Sequence, residues 1–365
     1  MEMRIRKFLC LLIFLPWLTA FTHIPQGATQ KILEESQQGQ QLIFDRKYGE
    51  AQEHFHRLWR EYPDSPLGTF GIMVLYNAIM FENYDFSLDK SFAQVSYSNE
   101  AIVDKIAKNE ESSAWDNFLC GASAGLRAFY LIRQDKALAA LGQANIADKC
   151  LSRAQAKDPK FKDVLLGQGM SLYWRSVFTQ SFGKILPFFK DQRPEGINLM
   201  KQAVNESILA GDLSRVSLMF VYLNDHKNRP GLALANELVK KYPKNLIAQL
   251  HQGRFLLYMG QIKQALAIFQ KIYQQDPKIT VTWFFQGQAY QRLGQKEKAK
   301  AAYETFLKNH ANPAWQAYAH YNLGMIALQD HDEKAAMAHF KAGHNAYGHY
   351  KPNLNMILKL RKERT

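Results

Sequence analysis

The 365 residues of this chain are poor in the local motifs that carry chemistry. A Gly-rich phosphate loop, a His-Glu-x-x-His helix and a Cys-x-x-Cys pair are all missing, so nucleotide cradling, zinc hydrolysis and thiol redox work have no starting point. Cysteines number three, and one of them, Cys10, lies inside an N-terminal apolar run. Eleven histidines are present, but their spacing does not gather ligands. His54 and His56 are two apart and point to different faces of a helix. His339, His344 and His349 follow at intervals of five, which turns each about 140° from the last. No metal, no cofactor and no catalytic group is expected. Strand-like alternation is also lacking, and the periodic apolar residues favour helices throughout.

What is present begins with charge. The composition is 47% apolar and 22% charged, ordinary for a globular protein, but the formal net charge is +13. Removing the leader's three basic and one acidic residues leaves about +11, a basic surface that favours anionic partners. Arg4, Arg6 and Lys7 precede a mostly apolar run from Phe8 to Phe21. A basic start followed by about 14 apolar residues is a secretory leader, short for a span of about 20. The expected leader covers residues 1–28, with cleavage near Ala20 or Ala28, and a periplasmic or secreted mature chain. An uncleaved anchor in the inner membrane is the alternative. In an exported chain nucleic acid is an unlikely partner; acidic proteins, lipid headgroups and acidic cell-wall polymers fit the compartment.

Spacing is the most informative feature. Gly253, Gly260, Ala265 and Phe269 recur as Gly287, Gly294, Ala299 and Tyr303, each about 34 positions later, a helix-turn-helix period. Small residues let two antiparallel helices approach to about 8–10 Å, and large ones fill the groove between them. Gly260 and Gly294 stand where the first helix of a pair must stop. Asp276-Pro277 ends a pair, because proline lacks an amide donor and pushes its predecessor out of the α region.

Trp283, Gly287, Tyr290, Ala299 and Tyr303 resemble the tetratricopeptide repeat pattern of a large residue, Leu-Gly, Tyr, Ala, an aromatic and Pro. Gln286 replaces the usual Leu, and Leu256 replaces the Tyr one copy earlier. Further copies read Leu323, Gly324, Ala336, Phe340 and, more weakly, Tyr222, Gly231, Leu238, Pro243. An N-terminal copy has Gly39, Tyr48, Ala51, Phe55, Leu58, Pro63. The resemblance implies an all-α solenoid of stacked antiparallel helix pairs: enlarged or degenerate hairpins over 29–210, a regular array over 211–350, and a helix end with a basic tail over 351–365. Between the two ends, apolar spacing predicts helices at 67–81, 87–108, 112–133, 136–157, 161–182 and 194–209. Gly167, Gly169, Tyr173, Trp174 and the run 191–196 resemble bacterial envelope proteins with such repeats, a likeness that brings no activity with it.

Three sets of residues invite function. By the register of the resemblance, the inner face of the array presents Phe220, Asn224, Leu250, Arg254, Tyr258, Phe284, Gln288, Arg292, Tyr318 and Tyr321. Such a groove suits an extended peptide or helix with carboxylates for the arginines; in the alternative, these side chains complete a closed superhelix. The second set is Tyr173, Trp174, Phe178, Phe182, Phe188 and Phe189, either hairpin packing or a pocket for a small apolar or lipid-like ligand or a membrane surface. Third, a turn at Gln134 and Asp135 places Cys120 and Cys150 at one height on antiparallel helices, either bridged or as two buried thiols; a turn at Gly142 separates them. The function expected is a non-catalytic protein-interaction scaffold in the cell envelope.

Overall fold

The computed structural model describes residues 23–181 and 190–362. Much of the leader, together with Phe182, Phe188 and Phe189, lies outside the described residues. Seventeen helices and no strands occupy the described residues. They pair in order: α1 (Gln30–Phe44) with α2 (Tyr48–Glu61), α3 (Leu67–Asn83) with α4 (Asp89–Lys108), α5 (Ala114–Arg133) with α6 (Ala137–Lys157), α7 (Val164–Ser181) with α8 (Arg193–Glu206), α9 (Gly211–Asn224) with α10 (Asn228–Lys241), α11 (Leu246–Tyr258) with α12 (Ile262–Gln275), α13 (Val281–Arg292) with α14 (Lys296–Asn309), and α15 (Pro313–Gln329) with α16 (Glu333–Ala346). A single helix, α17 (Lys351–Lys362), covers the last pair, so the C-terminal segment is a packed element. Helices of the middle region begin and end within three residues of the positions that apolar spacing predicts.

The pairs are locked by one recurring contact. Gly39, Gly253, Gly287 and Gly324 each face an aromatic ring of the partner helix, Phe55, Phe269, Tyr303 and Phe340, always 16 residues further on. A Cβ on Gly287 would come to 2.6 Å from the Tyr303 ring, and Tyr303 itself is fully buried. Burying such a ring contributes about 1.5–3 kcal/mol, and it depends on the helices staying close. Gly287→Ala is therefore expected to cost about 1–3 kcal/mol through overpacking. Urea unfolding checks it, and an unchanged midpoint would contradict the contact. Gly169 and Gly196 make a closer crossing still, a Cβ on either meeting the other's carbonyl oxygen at 2.6 and 2.5 Å.

Turns follow the same economy. Gly260 and Gly294 take φ of 81° and 71° where α11 and α13 end, while Arg46, Asp135, His226 and His331 hold the equivalent left-handed position in other pairs. Proline follows the C-cap residue of α2, α6, α10 and α12 as Pro63, Pro159, Pro243 and Pro277. The linker from α8 to α9 has no such device. It is held instead by the buried carboxylate of Asp163, which accepts from the amides of Ile208, Leu209 and Ala210 at 2.7–2.9 Å.

The turn between α5 and α6 falls at Gln134 and Asp135, with Gly142 inside α6. Cys120 and Cys150 then face one another, Cα atoms 6.0 Å apart and the sulfurs joined as a disulfide. Closing a loop of that length restricts the unfolded chain by about 3–4 kcal/mol on the chain-entropy account. Reduction should lower stability by about that amount, and alkylation should label two more thiols after reductant than before. Equal labelling in both states would rule the bridge out.

The array does not run open from end to end. It bends until its first two pairs meet its last four. Arg46, in the turn after α1, donates to Glu82 at 2.7 and 3.0 Å and to Asp276 at 2.7 Å. Asn83 accepts from the amide of Val281, the first residue of α13. Asn312, the cap of α15, donates to the carbonyl of Tyr84, and Asn245, the cap of α11, to that of Phe44. Apolar contact follows the same line: Phe44 stacks on Tyr242, Phe81 meets Phe220 and Tyr84 meets Trp315. Three helix starts in the C-terminal half thus draw a partner from the helix ends of the N-terminal half.

Candidate functional site

Closure places the end of α3 against the inner face of α9, α11, α13 and α15. The space left at the centre is an open cleft of about 650 Å³, walled by Phe81, Tyr84, Trp174, Phe220, Tyr258 and Trp315, with Arg254, Arg292, His226, Leu223, Asn224 and Asn228 completing the lining. Arg254 is half-buried. Its Nη1 donates to the Tyr84 hydroxyl at 2.8 Å, and its guanidinium lies 5.1 Å from the centre of the Phe285 ring. Burial works against its charge, and the phenol oxygens of Tyr84 and Tyr258 offset that, leaving the group above its ordinary pKa. Arg292 is exposed; it donates to the carbonyl of Leu257 at 2.5 Å and sits over the Tyr258 ring. Neither arginine pairs with a carboxylate among the described residues, and no Asp or Glu lines the cleft.

Behind this wall lies His251, fully buried, its Nδ1 2.8 Å from the Ile247 carbonyl and its ring on Phe220. Burial above all, then the charge of Arg254, lowers its pKa to about 3, so it is a neutral spacer at pH 7. Tyr173 is also buried: its hydroxyl donates to Asp225 at 2.5 Å and accepts from Asn224 at 2.7 Å. This pair fixes the neighbouring Trp174 at the rim of the cleft.

Residues 256–321 match the tetratricopeptide repeat family. That stretch carries tetratricopeptide repeats. Among solved structures, the Cut9–Hcn1 hetero-tetramer of the APC/C aligns with 90% of this chain and 56% of its own at 14% identity and a TM-score of 0.55, a likeness of fold. A thermophilic tetratricopeptide protein of Thermus thermophilus, TTC0263, aligns with 52% of this chain and 97% of its own at 16% identity and a TM-score of 0.42. PilF of Pseudomonas aeruginosa aligns with 66% and 97% at 11% identity and 0.44. Curated proteins give no match.

Tetratricopeptide arrays present the first helix of each pair on the inner face, and here that register is kept for only part of the expected groove. Arg254, Tyr258, Phe220, Asn224 and Arg292 line the cleft. Leu250 and Phe284 do not: they are 0% and 4% exposed, sealed because the end of α3 and Trp315 cover the inner face. Gln288 is half-buried with its Oε1 unpaired. Tyr318 and Tyr321 pack on Tyr350, where the chain enters α17. Of the second set, Trp174 joins the cleft, Tyr173 is core, and Phe178 is 46% exposed near the end of α7.

One feature escaped the sequence, and one motif in it was passed over. Tyr84 and Phe81 line the cleft, yet they come from the C-terminal end of α3 and its cap, about 170 residues before Arg254, with no spacing to announce it. Gly121-Ala122-Ser123-Ala124-Gly125 does spell a nucleophile motif. It lies inside α5 rather than at a strand-to-helix elbow, and Ser123 is 1% exposed with Asn99 donating to its hydroxyl. No base or strained turn activates it. Among the described residues no three metal-ligating side chains come together.

Proposed function

We propose that this chain is an exported, non-catalytic scaffold of the bacterial cell envelope that recognises a protein partner by an acidic group offered to its cleft. The observation that carries the reading is the pair Arg254 and Arg292, two guanidiniums beside aromatic rings with no carboxylate of their own. A planar fork next to an aromatic face is a strong receptor for a carboxylate, and Tyr and Trp supply contact area at low entropic cost. Tetratricopeptide repeats serve as preformed binding surfaces, consistent with equilibrium binding rather than bond-making.

Export is supported by the basic and apolar start of the sequence and is compatible with the disulfide between α5 and α6. Cleavage near Ala20 fits the fold better than cleavage near Ala28. His23 and the amide of Gln26 both bond to Asp158, and Gln26 receives the amides of Ala114 and Trp115 at the start of α5. Those bonds survive only if residues 23–28 stay with the mature chain. N-terminal sequencing of the secreted form decides between the two.

Partner capture from envelope extract tests the scaffold. Arg292→Glu, at an exposed position, should lose the partner at least tenfold, because one reversed charge replaces attraction by repulsion. Arg254→Glu should do the same, and Lys271→Glu on the outer face of α12 should not. Equal capture by all three variants would remove the cleft from the account.

A further inference from the structure

We infer that the interior of the cleft is a receptor for a small organic acid, a carboxylate carried on an apolar body. This rests on the cleft being the binding site proposed above, and it names what enters it. Size is the first reason. About 650 Å³ falls within the range of small-molecule pockets, roughly 300–1,000 Å³. The end of α3 occupies the inner face that an extended peptide would need, with Tyr84 bonded to Arg254 and packed on Trp315.

Charge is the second. The lining contains two arginines and no acid, so a neutral ligand would leave the half-buried Arg254 without a counter-charge in a partly desolvated space. The third reason is the state of the polar atoms. Arg254 Nε and Trp174 Nε1, both on lining residues, are buried donors without an acceptor, against one buried acceptor without a donor, Asn228 Oδ1. An ionised carboxylate is acceptor-only and meets that surplus of donors. Phe81, Trp174, Phe220 and Trp315 offer the apolar walls for its body. The ligand is held by these contacts alone, and no bond is made or broken.

Decanoate is a suitable probe, with decanol as its uncharged counterpart, both kept below aggregation and added to the mature full-length protein. Trp174 and Trp315 report binding by fluorescence. Decanoate should bind saturably and decanol at least about tenfold more weakly, the ratio expected for losing one charge-assisted hydrogen bond. Arg292→Gln, at an exposed site, should weaken decanoate about tenfold and leave decanol unchanged; Arg254→Gln should do the same where circular dichroism shows it folded. Organic extraction of the purified protein should yield an acid by mass spectrometry. No saturable binding, equal affinity for acid and alcohol, or full affinity in Arg292→Gln overturns the inference, as does an extract containing a peptide in place of the acid. Partner capture that persists in wild type without acid binding sinks this inference alone. Acid binding with partner capture untouched by Arg292→Glu sinks the scaffold reading alone.

Discussion

Arg46→Ala is expected to destabilise the protein by about 3–5 kcal/mol, the range for removing one member of a buried ion pair. Glu82 explains the size. It is 3% exposed, takes two bonds from Arg46 and one from the Tyr48 hydroxyl at 2.6 Å, and burial already pushes its carboxyl above the usual range. Without Arg46 the carboxylate must lose its charge or draw in water, and Asp276 loses the partner that ties α12 to the first hairpin. The loss should be local as well as global. Amides at the start of α13, where Val281 is capped by Asn83, should exchange faster. The pair Arg46→Met with Glu82→Leu should recover most of the stability, since replacing both partners removes the uncompensated charge. If the single variant costs under about 1 kcal/mol in urea, closure contributes little to stability.

Acid should destabilise the protein steeply between pH 6.5 and about 4. His251 and His310 are 0% and 3% exposed, and burial lowers their pKa values to about 3 and about 4. In the unfolded chain each titrates near 6.5. Below that pH the unfolded state binds protons that the folded state refuses, so the stability present at neutral pH is lost as pH falls toward the folded values. Two such groups give a slope approaching about 2.7 kcal/mol per pH unit. Half-buried His320, lowered to about 4 by burial and by His339, whose Nδ1 is 3.2 Å away, steepens it further. Urea unfolding at pH 7, 6 and 5 measures this. His251→Leu should flatten the slope by about one proton's share, and a profile level from pH 7 to 5 would contradict the buried neutral state.

How much of this was legible in the residues depends on distance along the chain. Gly260, Gly294 and Pro277 announce turns because they act on their own backbone, and Gly253 and Gly287 announce close helices because their partners are 16 residues away in the same hairpin. Arg254 could be placed on the inner face by register alone. What covers that face could not. Nothing in the spacing marks Arg46 or Glu82, yet Arg46 meets Glu82 and Asp276 across 36 and 230 positions. Periodicity carries no information about a contact that occurs once. For the same reason Leu250 and Phe284 read as a binding surface, when a segment of their own chain already packs there, and Trp174 read as part of a separate site.

Residues of the first two hairpins are made long before the groups that complete them. Asn83 and Arg46 wait for Val281 and Asp276, roughly 200 positions behind, which at translation speeds of about 5–20 residues per second is tens of seconds. Phe81 waits a shorter time for Phe220, and Tyr84 a longer one for Trp315. A chain ending before residue 276 therefore leaves the helix ends of its first two hairpins uncapped and the ring of Tyr84 uncovered.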